Sequence, residues 1–337
     1  MLTSESVSRL FNNFNQLRIM VVGDVMIDSY LFGSVDRISP EAPVPVVAVS
    51  KRSERLGGAA NVALNIKAMG AEAILCSVVG DDHRGTGFME LLNQNSMPVN
   101  GLLVSKKRAT TTKYRIIGNN VQMLRVDDEN THDLSAEETK ELLAKYTHII
   151  ENEKIDAIIL QDYNKGVLTK EVIETVIKLA RSKHIPVSVD PKKKNFLAYK
   201  HATFFKPNLK ELKEGLNITL KDSSILAITE AVKNLQSILQ TDYVMTTLSE
   251  RGVLIRYTGN EQPKELHIPA HLRSIADVSG AGDTVISVAT LCLALDQQAE
   301  DIAVLSNLAG GIVCEEIGVV PIDKNKLHDE VLRLIVR

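Results

Sequence analysis

The stretch that most constrains this chain is residues 277–284, with the sequence DVSGAGDT. It runs straight into an apolar segment, residues 285–295, that contains neither Gly nor Pro. Small residues before an apolar run predict a loop that opens into a buried helix. The first N–H groups of such a helix are unpaired and its dipole favours negative charge, so an anion can bind where no side chain covers them. The residues that would leave these groups uncovered are Gly280, Ala281 and Gly282.

Asp283 lies in the same predicted turn, beside any anion bound there. A carboxylate is a poor ligand for phosphate but a good acceptor for the proton of an attacking hydroxyl. Backbone amides that neutralise a moving phosphate, next to such a base, suit phosphoryl transfer. An ordinary N-cap at Asp277 or Asp283, above a turn of small residues, is the structural alternative.

Alternating strand and helix patterns fill the middle of the chain. Apolar runs at 155–160, 185–189 and 243–247 are separated by segments with helical spacing. Such alternation predicts an α/β fold with a mostly parallel central sheet covered by helices on both faces. The 337 residues would suffice for one large domain or two ordinary ones, but no linker or change in composition divides them. We therefore expect a single domain over residues 1–337.

Two segments interrupt this alternation. Residues 34–49 contain three prolines, which central strands do not tolerate. Residues 110–117 and 121–126 are rich in β-forming residues and flank the turn-forming sequence GNN. We expect these segments, within residues 31–50 and 108–127, to form a small separate sheet that acts as a lid or as a dimer contact.

Two groups of residues could bind a sugar. One follows the first predicted strand, and the other lies at the start of a later helix. Asp28 comes shortly after the apolar strand at 18–25, and ligands of open α/β sheets collect at the carboxyl ends of strands. Gly57 and Gly58 precede a helix whose first turn contains Asn61, with both a donor and an acceptor. This set fits recognition of a polyol. A capped turn at Asp28 and close helix packing at the glycines are the alternatives.

Further polar residues follow later predicted strands. Asp162 and Lys165 come after one apolar run, and Lys192 comes after the next. Asn208 and Glu211 are three residues apart at a helix start, where an amide and a carboxylate could organise metal-bound water near a nucleotide phosphate. Simple N-capping explains Asn208 equally well, and a solvated surface position is the alternative for Lys192.

Charge and composition argue against several classes of function. The formal net charge is −3, so no global basic field favours nucleic acid or an anionic membrane. No apolar run approaches membrane-spanning length, and no signal-peptide core follows the N-terminus. Cys76, Cys292 and Cys314 are far apart in apolar runs, which is typical of reduced core residues in an intracellular protein. We expect a cytoplasmic protein that binds small molecules.

The two glycine-rich elements in this order, with an aspartate between anion hole and helix, resemble the ribokinase-like (PfkB) family of sugar kinases over essentially the whole chain. The stretch 277–284 is highly specific to that family, and residues 57–61 (GGAAN) and 79–82 (VGDD) support it. The resemblance implies a ribokinase-like fold with a small β lid, Mg²⁺-ATP as the phosphoryl donor, and a homodimer formed through the lid sheet.

The resemblance also implies roles for individual residues. Asp283 would be the catalytic base, behind the anion hole described above. The other expected site residues are, for the substrate, Asp28, Gly57, Gly58, Asn61, Asp162, Lys165 and Lys192; for the nucleotide, Asn208, Ser249, Gly252, Gly282 and Asn307; and for metal, Glu211, with Asp277 for a monovalent cation.

A narrower resemblance lies in residues 22–28 (VGDVMID) and 37–46 (RISPEAPVPV). Together with 162–166 (DYNKG), 190–192 (DPK) and 206–208 (KPN), they resemble the bacterial heptose 7-phosphate kinases of this family. This implies transfer of the ATP γ-phosphate to the anomeric hydroxyl of D-glycero-D-manno-heptose 7-phosphate, giving the 1,7-bisphosphate for ADP-heptose and lipopolysaccharide core or surface glycan synthesis. Another sugar or sugar phosphate, such as ribose or fructose 1-phosphate, is the alternative.

A substrate that already carries a phosphate at its far end needs cationic partners. Lys165 and Lys192 follow predicted strands and should line the cleft, whereas Arg115 and Arg125 lie on the predicted lid hairpin. We expect the two lysines to be the main contacts, with solvated surface charge as the alternative.

The sequence departs mildly from the family pattern at Ser279, Gln161 and Lys193, where Thr, Ser and Gly are more usual. In many bacteria the heptose kinase is fused to an adenylyltransferase, whose His-x-Gly-His motif does not occur in this sequence, so we expect no such domain. Two other classes fit less well. A non-catalytic binder has no need of a base, and a dinucleotide oxidoreductase would show Gly-x-Gly-x-x-Gly after its first strand.

Overall fold

The computed structural model describes residues 3–220, 224–259 and 262–335, which form two β sheets and the helices around them. The strands are β1 (Arg18–Gly23), β2 (Val25–Ile38), β3 (Pro45–Gly58), β4 (Glu72–Gly80), β5 (Leu102–Ser105), β6 (Thr112–Gly118), β7 (Val121–Asp128), β8 (Ala157–Gln161), β9 (Val187–Asp190), β10 (Phe204–Phe205), β11 (Tyr243–Thr247), β12 (Val253–Tyr257) and β13 (Lys264–Ile268). The helices are α1 (Ser4–Asn13), α2 (Ala59–Ala68), α3 (His83–Gln94), α4 (Ala136–Asn152), α5 (Lys170–Ser182), α6 (Leu209–Leu216), α7 (Ile225–Leu239), α8 (Ala281–Ala294), α9 (Ala299–Val313) and α10 (Lys324–Leu334).

The larger sheet has the strand order β13-β12-β11-β10-β9-β8-β1-β4-β5. Neighbours from β11 to β5 run parallel, and β12 and β13 add an antiparallel edge. Ile19 and Val21 of β1 face the core formed with α1, α2, α8 and α9, whereas Met20 and Val22 face the core formed with α4, α5 and α7. The predicted mostly parallel sheet with helices on both faces is therefore confirmed. None of the helices in the described ranges is long and apolar enough to cross a membrane.

Helix α8 lies at the centre of one core. Every residue from Asp283 to Leu293 is buried, which explains why the segment is apolar on all sides rather than amphipathic. The helix begins after Gly280, whose φ of 83° lies in the left-handed region that glycine adopts without strain. Because the neighbouring strands are parallel, the first turn of α8 meets the carboxyl ends of β8 and β9.

The smaller sheet, which we call the lid sheet, has the order β3-β2-β6-β7. Its register places Tyr30, Arg55 and Arg115 on one face. We call it the inner face because Arg55 reaches the carbonyl of Val319, which lies beside Gly280 at the start of α8. Leu31 and Leu124 lie on the opposite, outer face. The sheet is larger than the sequence predicts, since β2 already begins at residue 25 and β3 continues to residue 58.

The position predicted for Asp28, just beyond a strand of the main sheet, is wrong. Asp28 lies within β2 of the lid sheet, opposite Arg55. The main-sheet strand stops at Gly23 because the carboxylate of Asp24 accepts N–H groups from Tyr163, Lys165 and Val167 at 2.8–3.0 Å, and the chain then turns into the second sheet.

Candidate active site

Asp283, in the first turn of α8, is held by three hydrogen bonds. Its Oδ2 accepts from Nδ2 of Asn61 at 2.7 Å, and its Oδ1 accepts from the Tyr163 hydroxyl at 2.7 Å and from Nε2 of Gln161 at 3.1 Å. Burial raises the pKa of Asp283 to about 6, against the hydrogen bonds from Asn61 and Tyr163, which favour the ionised form. The carboxylate is thus fixed in direction and titrates near neutral pH, which suits a general base.

A row of polar residues crosses the carboxyl ends of three strands beneath Asp283. Gln161 of β8 donates from the same Nε2 to Oδ2 of Asp190 at 3.1 Å, and Asp190 of β9 pairs with Lys206 at 3.2 Å. The Asp190 and Lys206 side chains are 6% and 3% exposed. Their opposite charges compensate each other, which a buried pair requires. The base is therefore connected through Gln161 to a buried ion pair.

The anion hole predicted from the sequence lies directly above this row. A Cβ at Gly282 would stand 3.6 Å from Nζ of Lys206, so the glycine leaves the buried ammonium close to the start of α8. The N–H of Ala281 already donates to the Val278 carbonyl at 3.3 Å, whereas that of Gly282 has no backbone partner among the described residues. Positive charge and an unpaired amide therefore meet beside Asp283.

The expected sugar-binding residues form a second wall. Asn61, in the first turn of α2, contacts Asp283, and a Cβ at Gly280 would lie 3.2 Å from its Nδ2. Asp28 forms an ion pair with Arg115 from the neighbouring lid strand, and a Cβ at Gly57 would overlap Oδ2 of Asp28. Gly58, with a φ of 60°, brings the start of α2 against the backbone of Asp24.

The amides of Asn61 and Gln161 each use their nitrogen on Asp283. Their oxygens, Oδ1 and Oε1, are buried and find no hydrogen-bond partner in the described part of the chain. A buried carbonyl without a donor is costly, so each oxygen is suited to accept a hydrogen bond from a bound hydroxyl.

Lys165 and Lys192 both already have carboxylate partners. Lys165 pairs with Glu129 at 2.6 Å, and Lys192 pairs with Glu211 while its ammonium lies 5.5 Å from the centroid of the Tyr163 ring. Burial acts to lower the pKa of Lys192, but the nearby carboxylates outweigh it and raise this pKa, so the lysine stays charged. Neither lysine offers an uncompensated charge to a phosphate.

Asp162 lies below this part of the cleft rather than in it. Its carboxylate is 2% exposed and accepts hydrogen bonds from the Tyr199 hydroxyl and the N–H of Asn164, each at 2.7 Å. Burial, reinforced by the charge of Asp24, raises the pKa of Asp162 to about 6. The geometry thus makes Asp162 a support for the loop that carries Tyr163, and not a visible contact for a sugar.

An open cavity of about 600 Å³ lies at the start of α6 and the end of β11. Its lining residues are Asn208, Leu209, Lys210, Lys213, Glu214, Thr247 and Ser249. Two of the residues predicted for the nucleotide therefore face this space, and Gly252 closes the same turn as Ser249 with a φ of 86°. Asn307, on α9, instead donates to the Pro269 carbonyl at 3.0 Å.

The residues predicted for metal are engaged within the protein. Glu211 and Asn208 form a reciprocal cap at the start of α6, with hydrogen bonds of 2.8 and 2.9 Å, and Glu211 also pairs with Lys192. Asp277 accepts the N–H groups of Ser279 and Gly318 at 2.9 and 3.0 Å. Burial would raise the pKa of Asp277, but these hydrogen bonds outweigh it and lower the pKa.

This donor set fits Mg²⁺ that arrives with a nucleotide. In the described ranges no group of three or more His, Cys, Asp or Glu side chains could hold a metal. Mg²⁺ typically keeps several waters and uses one or two carboxylates together with substrate phosphates, and Glu211 can supply one such carboxylate.

The chain belongs to the pfkB family of carbohydrate kinases, whose family model matches residues 16–325. It is thus an ATP-dependent carbohydrate kinase. Among curated proteins it is 39% identical over 324 residues to the bifunctional protein HldE of Helicobacter pylori (strain G27), covering 94% of this chain and 68% of that protein. HldE of Methylobacillus flagellatus is 39% identical over 312 residues, covering 93% and 62%.

Solved structures show the same fold. Phosphofructokinase-2 from Escherichia coli in complex with potassium matches with a TM-score of 0.75 at 20% identity, covering 94% of this chain and 99% of that one. Arabidopsis thaliana ribokinase complexed with ribose and ATP matches with a TM-score of 0.70 at 15% identity, covering 93% and 98%. At these identities the likeness concerns the ribokinase-like fold alone.

Several residues of the site were not assigned from the sequence. Gln161, Asp190 and Lys206 all lie at the carboxyl ends of parallel strands, where ligands collect, but their sequence positions alone give them no role in the site. Tyr163 lies in a motif that the sequence did single out, but nothing local indicates that its hydroxyl reaches Asp283. Arg55 carries no sequence signal beyond its position before the glycine pair.

Proposed function

We propose that this kinase transfers the γ-phosphate of ATP to the anomeric hydroxyl of D-glycero-D-manno-heptose 7-phosphate, giving heptose 1,7-bisphosphate for ADP-heptose biosynthesis. The observation that carries the proposal is the 39% identity to HldE over 94% of this chain, since the kinase part of HldE is a heptose 7-phosphate kinase. The proposal concerns the kinase reaction alone.

The geometry supports a simple proton and phosphoryl transfer. Asp283 accepts the proton of the anomeric hydroxyl, the sugar oxygen forms the new bond to the γ-phosphorus, and the bond to the bridging oxygen of ADP breaks. Hydrogen bonds from Asn61, Gln161 and Tyr163 aim the carboxylate at the hydroxyl. The charge on the moving phosphoryl group faces the start of α8 and Lys206, which stabilise it electrostatically.

We assign the other side chains by their position around this centre. Asp28, Asn61 and the glycine pair at 57–58 form the side of the cleft that binds the sugar, which we call the sugar wall. The unpaired side-chain oxygens of Asn61 and Gln161 accept hydrogen bonds from sugar hydroxyls. The cavity lined by Asn208 and Ser249 holds the nucleotide. Glu211 would hold Mg²⁺ through water, and the metal would neutralise phosphate charge when bound. Asp277 would help to hold a monovalent cation.

We also propose that residues 1–337 form a single kinase domain, which works in the cytoplasm, where ATP is available, as a homodimer formed through the lid sheet. The outer face of that sheet supports the dimer, because Leu124 and Val126 of β7 are 54% and 45% exposed there beside Leu31 and Ile116. Exposed apolar side chains in one patch commonly mark a protein contact.

The experiment that tests the function is a kinase assay with ATP against a panel of sugars and sugar phosphates. The panel includes heptose 7-phosphate, heptose, ribose, fructose 1-phosphate and fructose 6-phosphate, and phosphorus NMR identifies the position of the new phosphate. We expect heptose 7-phosphate to give the highest kcat/KM and a new signal from an anomeric phosphate. A higher kcat/KM for another sugar would contradict the proposed substrate.

A further inference from the structure

We propose that Arg55 and Arg115, on the inner face of the lid sheet, bind the phosphate at the far end of the sugar substrate. The inference rests on the function proposed above and replaces Lys165 and Lys192 as the expected contacts. The ligand group is a phosphomonoester, which carries a charge of about −1.5 to −2 near neutral pH.

The two arginines share one aromatic support. The guanidinium carbons of Arg55 and Arg115 lie 5.2 and 5.3 Å from the centroid of the Tyr30 ring, which is itself 5% exposed. Strand register produces this arrangement, because Arg115 of β6 lies beside Tyr30 of β2 and Arg55 of β3 lies beside Asp28. Contact with the ring fixes the planar guanidinium groups, so less side-chain entropy is lost when an oxyanion binds.

Arg55 differs in its partners from Lys165, Lys192 and Lys206. Its Nη1 donates to the Val319 carbonyl at 2.9 Å, and it forms no salt bridge within residues 3–220, 224–259 and 262–335. A guanidinium has five N–H donors, so one bond to a neutral carbonyl leaves both its charge and most of its donors available. Lys165, Lys192 and Lys206 are each neutralised by a carboxylate.

Arg115 connects the phosphate to the sugar wall. It forms an ion pair with Oδ1 of Asp28, whose side chain is 3% exposed. Two planar N–H edges allow a guanidinium to hold a carboxylate on one side and a phosphate on the other. Arg115 can therefore hold Asp28 in position for a sugar hydroxyl while it contacts the phosphate.

The position of the pair relative to Asp283 suits an extended sugar phosphate. A Cβ at Gly318 would lie 3.0 Å from Nη1 of Arg55 and 3.4 Å from the Tyr30 hydroxyl. One residue further along, Val319 lies within 3.4 Å of the Cβ position of Gly280, at the start of α8. Arg55 thus lies beside the same loop that borders the anion hole, and a sugar with its anomeric end at Asp283 can extend toward Arg55 and Arg115.

The test compares heptose 7-phosphate with unphosphorylated heptose in wild type, Arg55→Ala, Arg55→Lys and Arg115→Ala. We expect Arg55→Ala to raise KM for heptose 7-phosphate by about tenfold or more, which is the effect of losing one charge-assisted contact, while KM for heptose and for ATP changes little. Arg55→Lys should recover part of the loss. Calorimetric titration of the two sugars without ATP gives the same comparison independently of turnover.

Arg9→Ala is the control. Arg9 is an exposed arginine on α1, so it belongs to neither sheet and lies outside the proposed dimer face. This variant should keep the wild-type ratio of the two KM values. Thermal melting shows that each variant is folded.

The outcomes separate this inference from the proposed function. If wild type prefers another phosphorylated sugar, heptose 7-phosphate is the wrong substrate, and the ratio measured with that sugar and its unphosphorylated form decides the role of Arg55. An unchanged ratio in folded Arg55→Ala and Arg115→Ala would overturn the phosphate site, even if heptose 7-phosphate is the substrate.

Discussion

At the scale of single residues, the proposed chemistry depends on how Asp283 is held. Three donors from different parts of the chain fix its carboxylate, and burial keeps its pKa near 6. A buried carboxylate without these donors would be protonated at higher pH, and a solvated one would be a weaker base. We therefore expect the removal of each donor to change the rate.

Asp283→Asn should abolish most of the turnover. The amide keeps the shape of the side chain but cannot accept the substrate proton, and loss of a general base typically costs about 10²–10⁴-fold in rate. Steady-state kinetics should show this drop in kcat, while direct titration shows nearly unchanged ATP affinity. A variant that keeps more than about half of the wild-type kcat would remove Asp283 from this role.

Tyr163→Phe should shift the pH at which the rate falls on the acidic side of the pH–rate profile, which we call the acidic limb. The base must be ionised, so the wild-type rate should fall as the pH drops below about 6. The Tyr163 hydroxyl stabilises the ionised form, so its removal raises the pKa of Asp283 and shifts the limb to higher pH. Initial rates between about pH 5 and 8 measure the shift.

Tyr199→Phe is the control for this prediction. It removes an equivalent hydroxyl that donates to Asp162 at 2.7 Å and does not contact Asp283. Its acidic limb should match that of wild type. Identical shifts in the two variants would mean that Tyr163 acts through general packing and not through the base.

At the scale of elements, close approach between the start of α2 and the lid sheet positions the sugar wall. Gly57→Ala would place a methyl group against Oδ2 of Asp28 and 2.8 Å from Cγ of Met26. We expect kcat/KM for the sugar to fall by about tenfold to a hundredfold, because small displacements of positioning groups are costly. Kinetics with the sugar and with ATP varied separately should assign the loss to the sugar.

Gly87→Ala provides the comparison for this glycine. A Cβ at this position in α3 would meet nothing within 4 Å. Alanine favours a helix by up to about 1 kcal/mol over glycine, so the melting temperature should be equal or higher and the kinetics unchanged. Wild-type kinetics in Gly57→Ala would show that this contact does not position Asp28.

At the scale of the whole molecule, we propose that the lid sheet binds the substrate with one face and a second subunit with the other. Leu124→Asp should weaken the proposed dimer, because it places a charge in the apolar outer face. Sedimentation velocity at micromolar concentration should show a dimer for wild type and more monomer for the variant. Leu226→Asp, at a leucine on α7 that is 74% exposed, should leave the dimer intact. A monomeric wild type would contradict the proposal.

The sequence by itself determined the fold class and the centre of the site. The hydrophobic patterns of strands and helices involve residues that are close together in the sequence. Their alternation along the chain was therefore enough to predict a mostly parallel sheet. The anion hole and Asp283 are contiguous in the chain and share one helix start, so their proximity did not depend on the rest of the fold. The same local reasoning placed Asp28 just after a main-sheet strand and missed that it lies within the lid sheet, because it could not show that a strand of the second sheet already begins at Val25.

Only the tertiary structure decided which charges remain available and what surrounds the base. Asn61 reaches Asp283 from 222 residues away, and Lys165 is neutralised by Glu129 from a distant part of the chain. Arg55 has no carboxylate partner among the described residues, and its guanidinium lies over the Tyr30 ring. Hydrogen bonds and ion pairs depend on the distance between two groups in space. Parallel strands are joined by long connections, so they bring together side chains that are far apart along the chain. The sequence separation of two such side chains therefore does not predict whether they are in contact.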